Sequence, residues 1–309
     1  MGQTSQIEWC DATWNPWHGC HKVSPGCQHC YMYSDKARYG QDPNTVVRSK
    51  TTFGDPLKWK EPKRIFTCSW SDFFIEEADA WRDEAWEIIR QTPQHTYLIL
   101  TKRPERLIHC LPWVETYDLT PMLCEDPWPN VWLGITAENQ YYFNVRMHDL
   151  AEIPCALRFV SYEPALGALD ISGFTCLWRE KKLTHDGKPP IGWMIAGGES
   201  GSEARPSHPE WFRNLRGQCQ AAGIPFFFKQ WGRWAPEPDG KPIHRGITIK
   251  LDGKPLAEGE PHYTFFKTAL VFPVGKKTAG CILDGREWKE SPETKKAQAG
   301  TLEPSDKTA

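Results

Sequence analysis

The chain has 309 residues, and 39% of them are hydrophobic, which is enough apolar material for one large α/β domain or two smaller ones. A net charge of −2 excludes a strongly basic protein that coats nucleic acid, and no apolar run reaches membrane-spanning length. Residues 1–8 lack a charged-then-apolar signal pattern, so we expect a cytoplasmic protein whose cysteines are not paired in disulfides.

The first informative feature along the chain is a loop with three cysteines. Cys20, Cys27 and Cys30 have the spacing C-x6-C-x2-C within a turn-rich segment. Three thiolates on one such loop predict a metal site rather than a packing cluster. A four-iron cluster held by three cysteines keeps one iron open, and an open iron can bind S-adenosylmethionine for radical chemistry.

The alternative is a structural zinc knuckle in a non-redox protein that binds nucleic acid. One of His18, His21 or His29 would then complete a tetrahedral site with the three thiolates. The pattern favours iron–sulfur over zinc because a barrel with a polar mouth is predicted downstream. Cys10 is not expected to be a ligand. The remaining scattered cysteines are expected to be small buried apolar side chains: Cys68, Cys110, Cys155, Cys176, Cys219 and Cys281.

From about residue 64 to residue 231, short apolar runs alternate with helix-like segments. The runs predict strands buried on both faces, over residues 64–68, 96–100, 130–135, 157–160, 192–196 and 225–228. Helices are predicted over residues 78–91, 104–110, 139–151 and 209–222. Together with a strand leading into the cysteine loop, they predict a closed or partly closed β/α (TIM-like) barrel. An open doubly wound sheet is the alternative.

Each predicted strand ends in polar residues, and in a β/α barrel all of these ends meet on one face, where active sites lie. Carboxylates alternate there with the cations of Lys102, Arg103, Arg205 and Lys229, a mixture that suits a zwitterion or a phosphate-bearing substrate. A ring of salt bridges is the structural alternative. The residues predicted to bind the cofactor are Asp72, Glu138, Glu163, Gly197, Gly198 and Glu199.

Sixteen tryptophans are many for this length. Five of them interrupt polar loops, where they either belong to the core or form stacking platforms for a base or an adenine ring. These five are Trp14, Trp17, Trp70, Trp231 and Trp234.

The chain is predicted to divide into a barrel over residues 1–234, a small β-rich appendage over residues 235–290 and a disordered tail over residues 291–309. Asp-Gly turn signals between short runs indicate the appendage, and a polar composition low in apolar residues indicates the tail. Within the barrel, residues 172–190 are predicted to form an exposed hairpin or loop.

Several motifs together resemble the phage-associated three-cysteine-motif family, over about residues 5–290. They include Trp14-Asn15-Pro16, the cysteine loop, Thr101-Lys102-Arg103-Pro104, Gly197-Gly198-Glu199-Ser200-Gly201 and Phe228-Lys229-Gln230-Trp231-Gly232. The family resembles a divergent branch of radical S-adenosylmethionine enzymes. The resemblance implies a β/α barrel and a [4Fe–4S] cluster on Cys20, Cys27 and Cys30. The resemblance does not imply a known reaction, but a phage setting fits a nucleotide or nucleic-acid substrate, and the radical chemistry needs an external electron donor.

The chain departs from the usual radical-enzyme pattern in three ways. The first gap between cysteines has six residues instead of three, His29 stands where an aromatic residue is usual, and the Gly-Gly-Glu motif comes late. Glu138, Glu163 or Asp72 are therefore alternatives to Glu199 for binding the methionine amine. A barrel hydrolase that uses these carboxylates, with the cysteines only bracing the N-terminus, is a further hypothesis.

Overall fold

The computed structural model describes residues 4–117, 120–179, 186–236, 246–257 and 268–292. The α-helices are α1 (Tyr31–Arg38), α2 (Asp79–Gln91), α3 (Leu107–Cys110), α4 (Gln140–Glu152), α5 (Ser172–Arg179), α6 (Pro209–Ala222) and α7 (Lys276–Ala279). The strands are β1 (Ala12–Trp14), β2 (Trp17–His18), β3 (Val47–Arg48), β4 (Arg64–Thr67), β5 (Thr96–Thr101), β6 (Val114–Tyr117), β7 (Thr120–Leu123), β8 (Val131–Thr136), β9 (Leu157–Tyr162), β10 (Trp193–Gly197), β11 (Phe226–Gln230), β12 (Ala235–Pro236), β13 (Ile247–Lys250), β14 (Thr268–Phe272), β15 (Ile282–Leu283) and β16 (Arg286–Glu287). Single 3₁₀ turns cover Pro25–Cys27, Asp55–Lys58, Glu76–Ala78 and Pro104–Arg106.

The central sheet has seven strands in the order β1-β4-β5-β8-β9-β10-β11, and every neighbouring pair is parallel. The predicted alternation of strands and helices in a parallel sheet is confirmed. No pairing joins β1 to β11 among the described residues, so the sheet is a curled half-barrel and the closed form of the predicted barrel is not found.

The two faces of the sheet carry different cores. The outer face packs under the helices, for example Phe143 of α4 and Phe212 of α6. The inner face carries a second cluster, which we call the aromatic floor: Trp9, Cys10, Phe66, Leu98, Phe159, Trp193, Ile195 and Phe227. The ring of Trp9 lies 4.6 Å from that of Phe66 in β4 and 6.3 Å from that of Trp193 in β10. Because β5, β8 and β9 lie between those two strands, the inner face is concave.

The helix ends predicted from capping residues agree closely with those in the structure. Asn139 accepts a hydrogen bond from the backbone N–H of Tyr142 and caps α4, as an N-terminal asparagine should. Helix α6 covers the predicted residues and ends at Gly223, whose φ of 75° is left-handed. Helix α2 begins after a 3₁₀ turn, at Asp79. The predicted helix over residues 104–110 is a 3₁₀ turn followed by the short α3.

The prediction for residues 172–190 is wrong in its first half. Residues 172–179 form helix α5, whose Phe174 packs against Phe143 with ring centroids 5.1 Å apart. Further on, Asp186 forms an ion pair of 2.7 Å with the buried Arg158 of β9. Residues 172–179 and Asp186 therefore each contact the core, which the prediction of an exposed hairpin or loop did not include. Residues 180–185 lie outside the described residues.

The chain after β11 forms a three-stranded antiparallel sheet, β12-β14-β13, and a short hairpin, β15-β16. Its last described segment covers the free edge of the half-barrel, since Phe228 donates its backbone N–H to Trp288 O at 2.8 Å and Trp193 Nε1 donates to Glu290 O at 2.9 Å. Lys289 forms an ion pair with Glu8, which joins this segment to the N-terminal one. The predicted tail lies outside the described residues from residue 293 onward.

None of the described helices has the length and apolar character needed to span a membrane.

Candidate cofactor site at the mouth of the half-barrel

Polar residues gather at and just beyond the carboxyl ends of the parallel strands, a region that we call the mouth. Parallel pairing brings these ends to one edge, as the register of Thr136 beside Ser161 illustrates. The mouth contains Asp72, Lys102, Arg103, Thr136, Glu138, Ser161, Glu163, Gly197, Gly198, Glu199 and Lys229. The sequence-predicted cofactor residues therefore lie in one region of the molecule.

The cysteine loop, residues 18–31, is held against the mouth by side chains from several strand ends. Gly26 donates its backbone N–H to Glu138 Oε1 at 3.3 Å. Arg205 Nη2 donates to Pro25 O at 3.0 Å, and Arg103 Nη2 donates to His21 O at 3.1 Å. Contacts that come from β5, β8 and the loop after β10 fix the position of the three cysteines relative to the sheet.

The entry to the loop is fixed by close backbone contacts. Gly19 has φ of 100°, and a Cβ built there would lie 2.2 Å from Thr45 O, so only glycine fits. Ser71 Oγ donates to Gly19 O at 2.6 Å, and the buried Trp17 donates its indole N–H to Asp72 O at 3.0 Å. The loop therefore begins from a rigid corner of the sheet.

The three thiols of the cysteine loop are part-exposed. Burial raises the pKa of the Tyr33 hydroxyl to about 12, and the charges of all three thiols add to the effect. Burial raises the pKa of Cys20 to about 11, with Asp72 adding to the effect and Arg103 opposing it. Burial also raises the pKa of Cys30.

Cys27 differs from the other two, because its pKa is lowered. Burial acts to raise that pKa, but the charge of Lys102 and hydrogen bonds from the Val23 and Ser24 backbone outweigh it. Arg103 Nη1 also lies 3.8 Å from Cys20 Sγ. Lys102 thus favours the thiolate of Cys27, which is the form that binds metal, whereas Arg103 only partly offsets the burial that raises the pKa of Cys20.

The arrangement of donors bears on which metal would fit. Among the described residues, no three His, Cys, Asp or Glu side chains converge to hold one metal ion. His21 is paired with Glu77, and His18 Nδ1 is buried without a hydrogen-bond partner. Each thiolate of a four-iron cluster binds a different iron, so its cysteines lie further apart than the ligands of a single ion. Cys20, Cys27 and Cys30 are the donors that either a four-iron cluster or a zinc ion would use.

Each carboxylate predicted to bind the cofactor is paired with a cation of the chain itself. The nitrogen–oxygen distances are 3.1 Å for Asp72–Arg103, 2.8 Å for Glu138–Arg146, 3.0 Å for Glu163–Lys229 and 2.6 Å for Glu199–Arg205. This is the ring of salt bridges that the sequence left open as the structural alternative. The side chain of Glu163 is 14% exposed and that of Lys229 24%, so this pair contains the most exposed of the four carboxylates.

The Gly-Gly pair is explained by close packing. A Cβ at Gly197 would lie 2.6 Å from Glu163 Oε1, and one at Gly198 would lie 1.9 Å from Trp231 O. The two glycines let β10 approach β9 and β11 closely at the mouth. The following Glu199 points to Arg205 and so helps to hold the cysteine loop.

The tryptophans and the scattered cysteines divide by burial. Trp14, Trp17 and Trp231 belong to the core, so the stacking interpretation is wrong for them, whereas Trp70 and Trp234 are half-buried.

Cys68, Cys155 and Cys219 are buried as predicted, but Cys110 and Cys281 are part-exposed and Cys176 is exposed. Cys10 is a buried member of the aromatic floor, where its thiol donates to Ser5 Oγ at 3.4 Å, and it does not belong to the cysteine loop.

Sequence reasoning missed Arg146, the buried partner of Glu138. It lies on the apolar stripe of α4 with Phe143, Met147 and Leu150, all of which are buried. A basic residue within such a stripe needs a buried partner. Its position in the apolar stripe was therefore the sequence feature that could have identified Arg146.

A family model described as "Protein of unknown function (DUF5131)" matches residues 4–292, which include both the cysteine loop and the mouth. No curated protein and no solved structure matches the chain. Because the match covers most of the chain, the protein belongs to the family described as Protein of unknown function (DUF5131).

Proposed function

We propose that this protein is a radical S-adenosylmethionine-type iron–sulfur enzyme with a [4Fe–4S] cluster on Cys20, Cys27 and Cys30. The supporting observation is that the loop with these thiols is held over the mouth of a curled parallel sheet. When bound, such a cluster supplies the electron that cleaves S-adenosylmethionine to a 5′-deoxyadenosyl radical.

The chain's own residues supply positioning and exclusion of water. Arg205, Glu138 and Arg103 hold the loop, so the thiolates keep a fixed place relative to the strand ends. The aromatic floor closes the inner face beneath the mouth. Glu163 and Lys229 present opposite charges 3.0 Å apart, which suits the zwitterionic end of an amino acid.

The substrate that we propose is a nucleotide or a nucleic acid, and the electron comes from an external donor. This part rests on the resemblance to the phage-associated family and on the radical chemistry itself. Trp70 is a half-buried aromatic residue next to the loop, since its carbonyl accepts the N–H of Gly19 at 3.0 Å, and we propose that its ring stacks on a base. A cytoplasmic location fits a cluster that oxygen damages.

The test is anaerobic purification followed by iron and sulfide analysis, with Cys20→Ala and Cys27→Ala beside the wild type. We expect about four irons per wild-type chain and release of 5′-deoxyadenosine after addition of dithionite and S-adenosylmethionine. Both variants should lose the iron because each removes one of three thiolates. Cys281→Ala is the matched control, since that thiol is part-exposed but lies outside the cysteine loop.

Two results would contradict the proposal. One is an unchanged iron content in Cys20→Ala. The other is a colourless wild-type protein that carries one zinc ion and leaves S-adenosylmethionine intact after attempted reconstitution, which would favour the zinc-binding, nucleic-acid-binding alternative.

A further inference from the structure

Lys102 is distinguished by its charge environment. The four carboxylates of the mouth are each paired with another cation, namely Arg103, Arg146, Lys229 or Arg205. Lys102 lies among them, and in the described part of the chain it forms no ion pair. Its Nζ donates one hydrogen bond, to Thr136 Oγ1 at 3.3 Å. An ammonium has three N–H donors, so two remain.

The position of Lys102 is well fixed. Its backbone N–H donates to Asp72 Oδ2 at 2.9 Å, and the preceding Thr101 donates its hydroxyl to Asp72 Oδ1 at 2.7 Å. The parallel register places Thr101 beside Ile135, and therefore Lys102 beside Thr136; Thr136 in turn pairs with Ser161. A cation and two hydroxyls thus lie in one row across β5, β8 and β9.

The chemistry of this row is that of an anion site. The half-buried ammonium forms no ion pair with a described carboxylate, although its charge acts on Glu138, which is already paired with Arg146. The hydroxyl of the buried Thr136 accepts its hydrogen bond, and the hydroxyl of the buried Ser161, next in the row, lies 3.5 Å from Glu163 Oε2. Placing a charge where it is partly shielded from water costs free energy unless a counter-charge is present. An incoming phosphate or carboxylate would supply that counter-charge and accept the free N–H groups.

We infer that Lys102, with Thr136 and Ser161, binds the anionic group of a ligand that enters the mouth, and that this group is a phosphate or a carboxylate. The inference rests on the proposed function only in taking the mouth as the ligand's entrance. It narrows the ligand class to anions. The rival explanation is that Lys102 acts only on the thiols, since its charge also favours the thiolate of Cys27.

The test uses thermal unfolding of the full chain at constant ionic strength, with chloride replaced by inorganic phosphate or by acetate. We expect saturating anion to raise the wild-type midpoint by roughly 2 °C, as binding to the folded state does. Lys102→Met should abolish the rise, and Thr136→Val should reduce it. Lys58→Met is the control, because Lys58 is an exposed lysine that is already paired with Asp55.

The outcomes separate the possible sources of the anion. A larger rise with phosphate indicates a phosphate ester, and a larger rise with acetate indicates a carboxylate such as an amino-acid end; either supports the inference. No rise in the wild type, or an equal rise in wild type and Lys102→Met, overturns it. If Lys102→Met does not fold, Thr136→Val and Lys102→Gln give the same comparison. Metal analysis is independent of this test: a wild type that stays free of iron after anaerobic reconstitution but still responds to the anion supports the anion site and contradicts the radical-enzyme proposal.

Discussion

Arg205 joins the cysteine loop to the mouth through one planar group. Its Nε and Nη2 donate to Glu199 at 2.8 and 2.6 Å, and Nη2 also reaches Pro25 O at 3.0 Å. Nη1 donates to Gln28 Oε1 at 3.2 Å. The rigid fork of a guanidinium can make these contacts together, whereas a lysine ammonium acts as a single point charge.

At the residue scale, Arg205→Lys should therefore loosen the loop while keeping the charge. We expect a loss of about 1–2 kcal/mol in the free energy of unfolding, faster hydrogen exchange over residues 20–30 and a lower iron content after reconstitution. Urea unfolding and exchange mass spectrometry measure these effects. Arg213→Lys, in an exposed pair with Asp284, should change none of them clearly. Unchanged exchange over the loop would show that Arg205 does not hold it.

Strand β8 carries a glycine that makes room for the aromatic floor. A Cβ at Gly134 would lie 2.4 to 2.6 Å from three atoms of the Phe159 ring on the neighbouring β9. That ring is fully buried and lies 6.2 Å from the ring of Trp193. The backbone of Gly134 is not left-handed, so its conformation does not require glycine. Glycine is needed at this position because a side chain would collide with the Phe159 ring.

At the element scale, Gly134→Ala should displace the Phe159 ring and destabilise the half-barrel. We expect a loss of about 1–3 kcal/mol, as overpacking of a close-packed interior costs. Gly173→Ala is the control, because a Cβ at that position in α5 meets nothing within 4 Å and alanine favours helix. Chemical denaturation compares the two variants; equal effects would mean that β8 and β9 relax to accept the methyl group.

For the whole molecule, the buried ion pairs of the mouth make stability depend on pH. Burial acts to raise the pKa of Glu138, but Arg146, a hydrogen bond from Ser24 and the charge of Lys102 outweigh it and lower the pKa overall. A carboxyl whose pKa is lower in the folded state stabilises the fold above its unfolded pKa of about 4.3. That stability is lost as the pH falls through the folded-state pKa.

Glu138→Gln should accordingly be less stable at pH 7, by about 3 kcal/mol, because the buried Arg146 loses its counter-charge. Between pH 5 and pH 3 the wild type should lose more stability than the variant, so the two curves converge on acidification. Urea unfolding as a function of pH measures this. Glu84→Gln, in an exposed pair with Arg48, serves as the control and should follow the wild type. Parallel curves for Glu138→Gln and the wild type would contradict the assignment.

The order of strands and helices, the caps at Asn139 and Gly223 and the spacing of the three cysteines could all be read from the sequence. These features depend on neighbours within a few residues, through hydrophobic periodicity, capping and turn chemistry. The convergence of polar strand ends at one mouth was also predictable, because parallel strands share a direction. The helix over residues 172–179 was missed because the charged residues that follow it obscure a short amphipathic stretch, whose Phe174 packs against Phe143.

Only the tertiary structure decided the rest. Whether β1 meets β11 depends on curvature accumulated over seven strands, and the segments around Trp9 and Trp288 fill the inner face and edge instead. The sequence could not show whether each carboxylate binds a ligand or an internal cation, because folding brings the cation near. Contacts can span much of the chain: Arg205, for example, reaches Pro25 O across 180 positions of sequence. Lys102 is distinctive only because every other cation at the mouth is paired, and that is a property of the whole set of contacts.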